Sequence, residues 1–170
     1  MKHRLGLLSI TLCALICLST GRTAAQNYKN SISADPISLA WGFLNLTYEN
    51  RIGATNSFTV FGSYWSYSNW TAFGIGGSYR WYFEIGDAKR PLQGLSAGPL
   101  VSFGFWDYAT SSVHSYSGGT SAAIGGELAY KWVFGGFVVE PILRLAFNLA
   151  SISGLDYRAY GLGVNLGYAW

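Results

Sequence analysis

The chain has 170 residues, of which 50% are hydrophobic, 17% aromatic and 11% charged. Soluble domains carry about 25% charged residues, and beyond the N-terminus no stretch approaches the ~18 consecutive apolar residues of a membrane helix. Ordinary soluble and helical-membrane classes are therefore both disfavoured, and the formal charge of +3 belongs, as shown next, to a segment that is expected to leave.

Residues 1–25 read as a secretory signal. Lys2, His3 and Arg4 open it, an apolar run follows from Leu5 to Leu18, and Thr23-Ala24-Ala25 offers a small-residue cleavage site before Gln26. Arg22, close to that cut, keeps an uncleaved anchor as the alternative. Leu12 and Ile16 precede Cys13 and Cys17, where lipidation needs a small residue, so no lipidated cysteine is expected. Both cysteines leave with the signal, which excludes disulfides and thiol chemistry from residues 26–170. Lys2, Arg4 and Arg22 leave too, so eight basic residues meet eight acidic ones. A nucleic-acid partner loses its electrostatic basis.

The remainder, residues 26–170, is expected to be one domain of alternating strands. "NSISADPISLAWGFLNLTYENRI" is long enough for two, near 29–40 and 44–51, with a tight turn at Trp41-Gly42. That division places Asp35-Pro36 inside or beside a strand, which proline tolerates poorly. One long strand bent at Gly42 is the alternative, making seven strands rather than eight. Next come segments near 57–66, 71–83, 94–108, 119–134, 136–150 and 157–170. In "TAFGIGGSYRWYF" Phe73, Ile75, Tyr79, Trp81 and Phe83 share one face, while Ala72, Gly74, Gly76, Ser78, Arg80 and Tyr82 share the other. "TSAAIGGELAYKWVF" and "GFVVEPILRLAFNLA" repeat the pattern. "NSFTVFGSYWSY" carries aromatics at both parities, so its phase is open.

A soluble lipocalin-like barrel would turn its apolar face inward; a transmembrane barrel turns it to lipid. The minor face separates the two. It holds glycine, alanine and serine with Glu49, Arg80, Glu127, Lys131, Glu140 and Arg144 among them. Small residues suit a narrow barrel interior, and charges there can pair. The expected fold is an all-β, antiparallel up-and-down transmembrane barrel, with the soluble binding barrel as the alternative. Tyr79, Trp81 and Phe83, then Tyr130, Trp132 and Phe134, then Tyr168 and Trp170 sit at strand ends, as an interfacial girdle requires. With the last strand ending on the periplasmic side, 133–136 and the charged 84–94 face the periplasm, while 109–119 and 151–156 face outward.

The final "YGLGVNLGYAW" alternates Tyr160, Leu162, Val164, Leu166, Tyr168 and Trp170 with small residues. It resembles the C-terminal β-signal of Gram-negative outer-membrane proteins, with Trp170 where the family usually has Phe. "LNLTYENRI", "GIGGSYRWYF" and "PLQGLSAGPL" further resemble a superfamily of small bacterial outer-membrane β-barrels, over residues 30–170. The resemblance implies an outer-membrane location, lipid and lipopolysaccharide contact, and recognition of the last strand by the barrel-assembly machinery. It implies no reaction.

Some barrels of this kind act on lipid A, and their deacylases resemble a serine–histidine–acid design. After the signal only His114 remains, in the loop "SSVHSYSG", so no catalytic residue is assigned and no enzyme is expected. One histidine and scattered acids offer no metal site, and the glycines of "GIGGSY" precede no helix that would bind phosphate. No cofactor is expected. The inward charges are read as a salt-bridge plug, giving a structural or surface-interaction barrel; a narrow channel for ions or small solutes is the alternative.

Overall fold

The computed structural model describes residues 27–67, 70–83, 92–108, 119–150 and 159–170. They form eight strands: β1 (Asn30–Ala34), β2 (Phe43–Arg51), β3 (Asn56–Tyr67), β4 (Trp70–Phe83), β5 (Gly94–Tyr108), β6 (Gly119–Phe134), β7 (Phe137–Ala150) and β8 (Ala159–Ala169). Each pairs antiparallel with its sequence neighbour, and β8 closes on β1 through Ile32↔Tyr168 and its neighbours. Trp170 completes the seam, its carbonyl accepting from the Lys29 and Asn30 amides at 2.9 Å. Closure leaves no sheet edge along the paired length of the wall.

The expected division of the first segment holds, and so does the turn at Trp41-Gly42, where Gly42 adopts φ +84°. The extension of the first strand to residue 40 does not, and Asp35-Pro36 lies beside the strand rather than inside it. β1 stops at Ala34, and Pro36–Ala40 forms a one-turn helix, α1. Asp35 is its N-cap: Oδ1 accepts from the Ile37 and Ser38 amides, and Oδ2 from Ser38 Oγ at 2.5 Å. Proline is favoured at this first helical position because its missing N–H has no helical partner there anyway. Local capping overrides the alternation that favoured a longer strand.

This early stop has a consequence for the wall. Ala34 faces Leu166, so from Asn165 back to Ala159 β8 has no strand partner on that side among the described residues. α1 stands in the gap against β2 and β8, and Leu162 on the open edge is 84% exposed.

Side chains sort by parity. Leu46, Phe58, Ile75, Val101, Ile124 and Leu145 point outward and are exposed, whereas Thr47, Thr59, Ser78, Ser96 and Asn165 point inward and are buried. The open phase of β3 is settled here. Phe58, Val60 and Tyr64 face out, while Phe61 and Trp65, on the same strand as the buried Ser57 and Thr59, face in.

Candidate functional site

The interior is layered. At the end carrying the β6–β7 turn and Trp170, Tyr28, Leu92, Val133, Val138 and Ala169 form an apolar base, with Tyr82 packed on it. Above it lie the six inward charges, and all six are brought together. Some pairs follow directly from the ladder: Glu127 stands opposite Arg144, and Glu140 opposite Asn165. The rest span the lumen. Arg80 of β4 reaches Glu49 of β2 at 2.9 Å and Glu140 of β7 at 2.6 Å through Nη1, and Glu127 of β6 through Nε. Lys131 bonds Glu49 and lies 3.4 Å from Glu140. Arg144 donates from Nε to Glu127 at 3.1 Å.

Hydroxyls and amides complete these carboxylates. Glu49 accepts from Ser57 Oγ and, at 2.6 Å, from Tyr82 Oη; Glu127 accepts from Ser78 Oγ; Glu140 accepts from Asn165 Nδ2 at 3.0 Å. Lys131 Nζ also donates to Ser31 Oγ at 3.2 Å. Arg80 and Glu140 are fully buried, with relative exposure of 0%. Isolated charges here would be costly, and pairing with additional hydrogen bonds offsets that cost. The partners Ser31, Ser57, Ser78, Tyr82 and Asn165 share the charges' inward parity. That parity is the signal by which they were recognisable, although nothing in it says which carboxylate each meets.

The other half of the lumen, toward α1, holds a cavity of about 370 Å³. Leu100, Ala123 and Ala146 form a small cluster within it, with Phe61 packed against them. Arg144 and Asn165 line the cavity on one side and contact the charge layer on the other.

Outside, the three aromatic groups stand at one and the same end, that of the β6–β7 turn and Trp170. Tyr79 and Trp81 meet edge-on at 4.9 Å between ring centroids, Tyr130 and Trp132 are tilted at 4.6 Å, and Tyr168 and Trp170 stack at 6.5 Å. Phe83 and Phe134 are exposed beside them. On β8, Leu162, Val164, Leu166, Tyr168 and Trp170 alternate with Gly163, Asn165, Gly167 and Ala169, the latter facing in. The expected signal segment, His114, most of 84–94 and residues 109–118 and 151–158 lie outside the described residues, as does the side chain of Tyr160.

No family model matches the sequence, and none of the curated proteins resembles it significantly. Solved structures do resemble it in shape. The N-terminal β-barrel domain of Pseudomonas aeruginosa OprF superposes with a TM-score of 0.53 at 12% identity, over 85% of this chain and 98% of that one. Ail, the attachment invasion locus protein of Yersinia pestis, gives 0.55 at 11% identity, over 85% and 100%. The fold is that of the small outer-membrane β-barrels. At such identity the likeness is one of architecture, and the residues inside the lumen have to be read on their own terms.

Proposed function

We propose that this protein is an integral outer-membrane barrel with a sealed lumen, serving a structural or surface-contact role rather than conduction or catalysis. The observation that carries the reading is the buried charge layer. Each of Glu49, Glu127 and Glu140 is in direct contact with at least one base, and the apolar base beneath closes the same half of the lumen. The outward band of Leu, Ile, Val and Phe supports lipid contact, and the resemblance of the last strand to the β-signal supports insertion by the assembly machinery. With the lumen closed, contact with other molecules falls to the rim. The likeness to Ail, an attachment invasion locus protein by name, agrees with that without identifying a partner.

Single-channel recording of the refolded, heat-modifiable barrel tests the reading. Wild type should be electrically silent, and so should Glu127→Gln and Arg144→Gln unless they loosen the layer. Steady wild-type conductance, changed by either substitution, would make the charges a pore lining and the narrow channel the better reading.

A further inference from the structure

Beyond the sealing role, we propose that the cavity above the charge layer is a binding site for a small aromatic carboxylate. Its walls depart from the rest of the interior. Beside polar residues such as Asn45, Ser63, Ser102 and Ser121, the upper half turns Phe61, Trp65 and Trp106 inward, with the exposed Phe43 in the same row. Phe43, Trp65, Ala72 and Trp106 follow one another across four strands in register, from β2 to β5. Phe43 and Trp65 stack at 5.3 Å with 8° between their planes. Ala72 is the small residue between the two tryptophans, and it leaves a recess in an otherwise aromatic row. Flat apolar rings favour a flat apolar guest.

At the inner end of that space stands Arg144. Its Nε is held by Glu127, and its guanidinium carbon lies 4.1 Å from the centroid of the Phe61 ring. Nη2 is buried with no hydrogen-bond partner among the described residues. Glu127 is shared with Arg80, which takes Oε1 and leaves Oε2 to Arg144 Nε. A guanidinium oriented by a ring and a carboxylate, with a donor left over, is suited to an anionic oxygen. Gly76 makes this arrangement possible, since a Cβ there would meet the Phe61 ring at 2.4 Å. The cavity also holds an acid, Asp35, but its carboxylate is engaged by three donors of α1. An aromatic body on the ring row with a carboxylate at Arg144 meets the cavity's aromatic side chains and the Nη2 donor together.

Titration of 1-naphthoate into the refolded protein in lipid nanodiscs, followed by calorimetry against empty discs, tests this. Saturable binding is expected in wild type, with 1-naphthalenemethanol at least tenfold weaker. Arg144→Met should weaken naphthoate at least tenfold while leaving the neutral analogue unchanged. Ala72→Phe fills the recess, leaves the charge layer alone and should abolish binding of both. Naphthoate uptake no greater than in empty discs, or undiminished in folded Ala72→Phe, would overturn the proposal. Conductance is read separately, so a silent barrel that fails to bind sinks this inference and leaves the sealed-lumen reading standing.

Discussion

Arg80 is the residue on which the interior is centred. It is completely buried and joins carboxylates from three other strands, so its loss leaves Glu49, Glu127 and Glu140 with Lys131 and Arg144 alone. Breaking a buried pair by removing one partner costs about 3–5 kcal/mol because a charge is stranded. Arg80→Met should therefore lower the free energy of folding into vesicles, read from urea titration, by about 3–5 kcal/mol. Arg144 differs in kind. Its side chain keeps 22% of its exposure and makes one salt bridge and one ring contact, so Arg144→Met should cost about 1–2 kcal/mol. Equal losses in the two variants would mean that the layer behaves as a solvated network rather than a dry one.

Among elements, the seam between β1 and β8 is closely packed. A Cβ on Gly167 would stand 2.0 Å from the Ile32 carbonyl oxygen and 2.6 Å from Ser33 Cα. The paired backbones there cannot move apart without opening the barrel. Gly167→Ala is expected to destabilise by about 1–3 kcal/mol, seen as loss of the compact, heat-modifiable band at a lower temperature than wild type. α1 is separable from this. Asp35→Ala removes the cap that turns the chain out of β1, worth about 0.5–2 kcal/mol to a helix. The effect should appear as faster amide exchange at Ile37, Ser38 and Leu39, with β1 protection kept. If β1 exchanges equally fast, the cap supports the seam as well as the helix.

At the scale of the whole molecule, the two faces of the wall answer to different media. Leu143 points outward near the middle of β7, while Phe134 points outward at the β6–β7 turn. An arginine on the lipid face costs about 2–4 kcal/mol at the bilayer midplane and about 0–1 kcal/mol near an interface. Leu143→Arg should accordingly depress folding into bilayers far more than Phe134→Arg. Indistinguishable costs would mean that this face does not meet lipid at graded depth. The interior is layered along the same axis, with an apolar base, a charge layer and an aromatic cavity in succession.

Alternation by itself marked out most of the strands, their two faces outside β3 and the membership of the charge layer, because a strand's side chains reverse at every residue. Glu127 with Arg144, and Glu140 with Asn165, are ladder neighbours, and hairpin register makes such pairs readable along the chain. Three things were decided only in the folded chain. Local capping at Asp35 ended β1 early and opened the gap that α1 occupies, an energetic contest that periodicity does not see. The inward course of Phe61 and Trp65 depended on a register that β3, aromatic at both parities, does not declare. The choice of Arg80 for Glu49, Glu127 and Glu140, and of Lys131 for Glu49, is made across the lumen between strands that are not neighbours. Such contacts exist only once β8 has met β1, and no sequence spacing encodes the distance across a closed wall.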